Sequence, residues 1–301
     1  MSTRYTNNAW MANTPSIDTL SLFELSLPGT HNAGSDWRAS YPFFGPPAHW
    51  LACQHDRFYR QLCHGSRVLD IRLKTDSKAS GLEQFRIHHN DFPNSRRLGD
   101  LINDVKNFLD ENPDEFIILD FHQTDGDGDD NNFNYKYFNS AMIQLLGHRL
   151  IPATNANLSL GILKRLSDKQ RVLAAVRRHP DIDRSVFIDQ IEHKWSGIGD
   201  TNVKELHQHI TDVLKSPPGK WHPWSLSATS YSVLGGPVDI HDELNAWFDP
   251  DTSDWAWQCN IINVDFIEET RIVDYCRTMN LIKADHLERQ RERERAGATA
   301  A

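Results

Sequence analysis

The hydrophobic positions of this 301-residue chain fall into short apolar runs separated by helical stripes. Leu20-Ser-Leu-Phe-Glu-Leu-Ser-Leu27 alternates as a buried strand does and stops at Pro28-Gly29, a turn signal, with His31 just beyond. Arg67-Val-Leu-Asp-Ile-Arg72 reads as a second strand that sets Asp70 and Arg72 on one face. Gln84 to His89 is a third strand, ending in the pair His88-His89. Leu98, Leu101, Ile102, Val105, Phe108 and Leu109 recur at three and four and predict an amphipathic helix that Asn112-Pro113 ends. Glu115 to His122 is the fourth strand, so the pattern here is a βαβ unit of a parallel sheet.

The alternation continues. Phe138, Ala141, Met142 and Leu145 predict a helix closed by Gly147. Strands are expected at 171–177, 185–190, 225–231 and 259–266, with helices at about 200–215 and 268–282. About eight strands with helices between them predict an α/β fold, a single TIM-type (β/α) barrel, irregular and incompletely closed. No stretch rich in Gly, Ser or Pro divides residues 1–301, so one domain is expected. Residues 1–19 are read as a peripheral N-terminal segment and 284–301 as a charged, frayed tail in which Glu cancels the Arg field.

Composition narrows the function classes. With 32 Lys and Arg against 41 Asp and Glu the net charge is −9, which argues against nucleic acid and against strongly anionic membranes. No apolar run approaches the ~20 residues that span a bilayer. The first twenty residues lack the apolar stretch of a secretory signal. Cys53, Cys63, Cys259 and Cys276 lack zinc spacing; a Cys53–Cys63 bridge is one reading, and buried free thiols fit better in a chain of this size. Tyr41 to Leu51 combines Pro and Gly with four aromatics and is either a loop folded back on the core or a rim loop that dips into a lipid interface; WHPW at 221–224 is a second candidate for the rim. Asp125 to Asp130 lacks the sixth-place Gly and twelfth-place Glu of an EF-hand loop and is read as solvated.

Phosphodiester cleavage needs a base, an acid, a cation for the phosphoryl oxygens and a carboxylate to orient the base. His31, His89, Arg72 and Asp265 supply these types at predicted strand ends, which converge on one face of a barrel. LPGTHN, GSRVLDIR and IHH, in this order and spacing, resemble the X-domain of bacterial phosphatidylinositol-specific phospholipases C, most strongly over about residues 20–122 and traceably to Asp265. The resemblance implies that His31 is the base on the inositol 2-hydroxyl, that Asp265 in IINVDF orients it, that Arg72 bridges the phosphate and that His89 protonates the diacylglycerol oxygen. A cyclic inositol phosphate would be the product. His88 points to the opposite face from His89 and is expected to be packed.

The same resemblance implies no cofactor and no metal, because Arg72 stands where calcium-dependent relatives carry a carboxylate. Asn32 follows the first histidine where metal-independent members have Asp; it is expected to position His89, and a residual metal site with Asp70 is an alternative. Asp91 is a second carboxylate candidate beside His89. Headgroup contacts are assigned to Asp70, His122 (where the family often has Lys), Arg177 with Arg178 as an alternative, His193 and Trp195. The implied partner is a phosphatidylinositol-bearing membrane, met transiently by a monomer, in an extracellular setting, with the cytoplasm left open by the missing signal. The rivals are a metal-dependent glycerophosphodiester hydrolase or phospholipase D on the same barrel, and a catalytically silent headgroup-binding protein.

Overall fold

The computed structural model describes residues 6–127, 132–197 and 200–299, the side chains of 297–299 excepted. Twelve strands are β1 (Leu27–Thr30), β2 (Val68–Thr75), β3 (Phe85–His89), β4 (Phe92–Arg97), β5 (Ile117–Asp125), β6 (Val172–Val176), β7 (Phe187–Asp189), β8 (Glu192–Lys194), β9 (Trp224–Ser227), β10 (Ser230–Ser232), β11 (Gly236–Val238) and β12 (Ile261–Val264). Eight run parallel in the order β7-β6-β5-β2-β1-β12-β9-β8. Among the described residues β7 and β8 do not pair, and only Gln190 and Ile191 separate them in the chain, leaving no room for a crossover helix. The barrel is therefore open on that side, as the pattern predicted.

Side-chain parity explains where chemistry collects. On β2 and β5 the residues Leu69, Ile71, Ile117, Leu119 and Phe121 face outward and pack with the helices Leu98–Glu111 and Tyr135–Leu146. The opposite parity faces the barrel interior: Val68 and Ile118 near its N-terminal end, then Asp70 and Arg72 on β2 and Asp120 and His122 on β5. The interior thus changes from apolar to polar along these two strands, toward their C-terminal ends.

Several elements differ from the pattern. Residues 20–25 are turns, not a strand: Leu20, Leu22, Phe23 and Leu25 are all buried whatever their parity, and Ser21 N–H and Oγ both donate to the Glu24 carboxylate, at 2.8 and 2.9 Å. The strand is LPGT itself. Pro28 needs no ladder donor there, and its carbonyl accepts from Arg67 N–H at 2.8 Å. Gly29 is required by close approach, because a Cβ would lie 2.9 Å from Ile261 Cγ2 and 3.2 Å from Asn263 Oδ1. The run 225–231 splits after Ser227, the remainder turning away into the β10–β11 hairpin. β3 is antiparallel to β2 and forms a hairpin with β4, which alternation alone did not reveal.

The N-terminal segment does not lie on the periphery. Trp10, Met11 and Ile17 are fully buried, and the Trp10 indole donates to Gly65 O at 3.0 Å. Arg67 is buried beneath this segment, donating to Glu115 at 2.7 Å and to the carbonyls of Asn7 and Asn8, so a buried cation fixes the segment under the barrel. The last helix, Ile272–Thr299, is buried through Lys283 and Ala284; its exposed part beyond them is charged. All four cysteines are free. No helix among the described residues is long and apolar enough to cross a membrane.

Candidate active site

A cavity of about 450 Å³ opens at the C-terminal ends of the parallel strands. Its lining brings together His31, Arg72, His89, His122, His193, Trp195 and Asp265, with Ser227, Thr229 and Tyr231 on the far wall.

His31 follows β1 directly, its backbone N–H held by Val264 O at 2.9 Å. Its Nδ1 lies 2.8 Å from Asp265 Oδ1. A carboxylate accepts, so the imidazole proton sits on Nδ1 and Nε2 keeps a free lone pair. His89 ends β3, its Nδ1 2.7 Å from the carbonyl oxygen of Leu51. A carbonyl can only accept, so here too Nδ1 carries the proton and Nε2 is left free. The two rings stand 6.3 Å apart between centroids and nearly perpendicular, at 88°. Burial, then the Arg72 charge, pushes the His89 imidazolium down to about 3.

Residues 51–54 tie these groups together. Leu51 O holds His89, Cys53 O accepts Phe266 N–H at 3.0 Å, and Gln54 Nε2 donates to His31 O at 3.0 Å and Val264 O at 2.9 Å. The Cys53 thiol lies 3.7 Å from His89 Nδ1, and burial pushes it well above the usual thiol range. Neither Leu51 nor Gln54 carries a sequence signal: one acts through its main chain, the other through contacts more than 20 positions away.

Arg72 donates through Nη2 to Asp70 Oδ2 at 3.1 Å. Asp70 Oδ2 also accepts Asn32 N–H at 3.1 Å and Asn263 Nδ2 at 3.4 Å. Arg72, with His193, His122 and His31 behind it, outweighs burial and holds the Asp70 carboxyl well below the usual carboxylate range. Asp70 is 1% exposed and lies behind the guanidinium, so it positions Arg72 and is not a headgroup contact.

Asp120 pairs in register with Asp70 and faces the same interior. Its Oδ2 lies 2.6 Å from His193 Nε2. Since β5 and β8 are not neighbours in the sheet, His193 reaches Asp120 across the barrel. His193 also stacks on His122, centroids 3.6 Å apart at 11°. Asp120 holds the His193 imidazolium above its ordinary value, whereas burial, then His193, pushes His122 down to about 3. Asp120 was not singled out from the sequence, although its i, i+2 spacing with His122 repeats that of Asp70 with Arg72.

Other expectations are corrected. Asn32 does not position His89: its side chain is fully buried, both amide atoms lack a hydrogen-bond partner, and its backbone is left-handed at φ 43°. Asp91 is exposed and pairs with Lys74 at 3.1 Å instead of with His89. Arg177 lies past the end of β6, exposed and off the cavity wall; Arg178 pairs with Asp189. Trp195, 54% exposed, lines the cavity. His88 is buried, its Nε2 3.4 Å from Asp125, and burial pushes it down to about 4. Of the acidic loop, Asp127 accepts from Ser77 N–H at 2.8 Å; residues 128–130 lie outside the described residues.

The Tyr41–Leu51 loop leaves Phe43 and Phe44 93% and 91% exposed. The loop joins the β10–β11 hairpin, where Trp50 Nε1 donates to Leu234 O at 2.9 Å and Leu234 is itself 83% exposed. WHPW is not part of this rim. Trp221 precedes β9 and so lies at the N-terminal end of the barrel, away from the cavity.

No protein-family model matches the chain. Its fold is that of the bacterial phosphatidylinositol-specific phospholipases C. The enzyme of that name from Listeria monocytogenes superposes with a TM-score of 0.67 at 20% identity, covering 91% of this chain and 99% of that one. A mutant of the Staphylococcus aureus enzyme gives 0.66 at 17% identity, covering 90% and 98%. Among curated proteins the chain is 36% identical over 144 residues to the variant-surface-glycoprotein phospholipase C of Trypanosoma cruzi, 44% of this chain and 34% of that protein. It is 29% identical over 136 residues to the 1-phosphatidylinositol phosphodiesterase of Listeria monocytogenes, 44% of this chain and 37% of that protein. The mouse PI-PLC X domain-containing protein 2 matches at 22% over 312 residues, 91% of this chain and 86% of that protein. The matched region thus spans about a third of the first two relatives' length. The resemblance carried by LPGTHN, GSRVLDIR and IHH is borne out.

Proposed function

We propose that the chain is a phosphodiesterase of the phosphatidylinositol-specific phospholipase C type, cleaving phosphatidylinositol to diacylglycerol and a cyclic inositol phosphate. The observation that carries this reading is the pair of imidazoles whose Nδ1 atoms are both anchored and whose Nε2 atoms are both free, beside one half-buried guanidinium. His31 Nε2 takes the proton of the inositol 2-hydroxyl, and the Asp265 carboxylate stabilises the imidazolium that forms. The oxygen attacks phosphorus while Arg72 spreads its charge over the phosphoryl oxygens. His89, protonated on Nε2, gives that proton to the departing glycerol oxygen.

The low basicity of His89 sets a condition on this scheme. The imidazolium is disfavoured by burial and by Arg72. A phosphodiester anion seated on Arg72 offsets that charge, so substrate binding itself promotes protonation of the acid. The proposed reaction needs no hard cation, because Arg72 answers the phosphoryl charge and the carboxylates beside it are engaged, Asp70 by Arg72 and Asp265 by His31. A magnesium or calcium hydrolase would need such carboxylates free.

Phe43, Phe44 and Leu234 form the proposed membrane contact, beside the cavity and away from Trp221. The test is diacylglycerol release from phosphatidylinositol vesicles in excess chelator. Undiminished release supports the reading, and activity restored only by added calcium or magnesium sinks it.

A further inference from the structure

Asp120, His122 and His193 each offer one ligand atom, and those three atoms lie within 4.8 Å of one another on the floor of the cavity. Asp120 is 1% exposed, yet its Oδ1 has no hydrogen-bond partner. His122 Nδ1 is likewise buried and unpartnered. An orphaned carboxylate oxygen deep in a barrel costs desolvation energy that nothing present offsets. A cation held among the three residues would give both Asp120 and His122 the partner they lack.

We infer that this cluster binds a divalent transition metal of the zinc class, with Asp120, His122 and His193 as its three protein ligands and a fourth position open to the cavity. Two imidazoles and one carboxylate suit zinc, which takes such ligands at about 2.0–2.2 Å, and suit calcium or magnesium poorly because those prefer oxygen. Two rearrangements accompany binding. The proton now shared between His193 Nε2 and Asp120 Oδ2 leaves to solvent, freeing both lone pairs. The His122 ring, stacked face to face on His193, turns until a nitrogen lone pair meets the ion; its unbonded Nδ1 leaves it free to do so. The site is distinct from His31, Asp265 and Arg72, and stands whether or not the cavity turns over an inositol lipid. The ion's open position would compete for the space of a bound headgroup.

The test is zinc titration of chelator-stripped protein, read by calorimetry and by zinc-edge anomalous scattering from crystals. One equivalent of zinc is expected, with an anomalous peak among Asp120, His122 and His193. His193→Gln and Asp120→Asn are each expected to weaken binding by more than about 100-fold, beyond the usual cost of losing an outer-shell partner. Since Asp120 is buried, His122→Gln serves as the variant that leaves the Asp120–His193 pair intact. Loss of zinc from it with an unchanged melting temperature supports a ligand role. Absence of stoichiometric binding overturns the inference. So does retention of zinc in all three variants, or a peak at any of the other donor clusters among the described residues: His31, Cys53 and Asp265; His55, Glu268 and Glu269; or His88, Asp91 and Asp125.

Discussion

His89 Nδ1 stands 2.7 Å from the carbonyl oxygen of Leu51, so the proposed acid is oriented by a main-chain dipole and not by a carboxylate. His31, by contrast, has the Asp265 carboxylate at 2.8 Å. The two imidazoles of one cavity thus differ in what stabilises their charged forms, and the difference suits their proposed roles. The base gains from a fixed negative charge as it accepts a proton. The acid, lacking one, releases its proton more readily.

Asp265→Asn keeps the shape beside His31 but removes the charge and allows the wrong tautomer. The expected result is a fall in kcat of about 10²-fold or more with little change in KM, within the range for loss of positioned acid–base function. Steady-state kinetics on dispersed phosphatidylinositol checks it. A loss confined to KM would mean that Asp265 binds substrate instead of orienting the base.

The pH dependence of His89 should differ between free and occupied enzyme. The group must be protonated to act, so activity falls as pH rises through its pKa. Burial, then Arg72, pushes that value down to about 3, and it is expected to rise when an anion neutralises Arg72. The descending limb of kcat/KM, which reports free enzyme, should therefore lie at lower pH than the descending limb of kcat. Coincident limbs would show that substrate does not tune His89.

Arg72→Lys should be nearly as harmful to turnover as Arg72→Ala, because a point charge cannot form the fork that spans two phosphoryl oxygens. The variants should separate in stability. Asp70 is buried and paired with Arg72, so Ala strands a buried carboxylate whereas Lys can still answer it. Thermal melts should place Ala below Lys.

How much of this was legible follows from the physics of each residue. The barrel, its opening and the placement of His31 and Arg72 follow from periodicity and motif, because inward residues on parallel strands must share one end; His89 arrives on the antiparallel β3, which only the motif pointed to. Pro28-Gly29 misled, since a turn signal served as strand where β12 approaches too closely for a Cβ. The burial of Trp10, which packs over Arg67, was hidden by its polar neighbours. The expected roles of Asn32 and Arg177 rested on resemblance alone, and in this chain one amide is sealed without partners while the other side chain points off the cavity.

Asn32→Asp tests that sealed position. Asp tolerates the left-handed backbone as Asn does, but its charge would be buried without a donor. Such a carboxyl has its folded pKa raised above its unfolded value. The destabilisation is therefore absent at pH below the unfolded value of about 4 and grows as pH rises. Melting temperatures of the variant and the unsubstituted chain should converge near pH 3 and separate at pH 7. Equal melting at pH 7 would contradict the account.

Phe43→Ser with Phe44→Ser should weaken vesicle binding by at least about 10-fold, each exposed ring contributing up to ~1.5–3 kcal/mol on burial. Turnover of a short-chain, water-soluble inositol phosphodiester should not change. Trp221→Ser should leave vesicle binding as it is, because Trp221 lies at the other end of the barrel. Equal loss in the Trp221 variant would misplace the rim.

The central claim is that His31 and His89 relay protons through a cyclic phosphate without a catalytic hard cation. Phosphorus NMR of the reaction with phosphatidylinositol in excess EDTA tests it most directly. The account predicts that the five-membered cyclic inositol phosphate resonance appears first and only later gives way to the acyclic monophosphate. Immediate formation of the acyclic product, or no product until calcium is supplied, would contradict it.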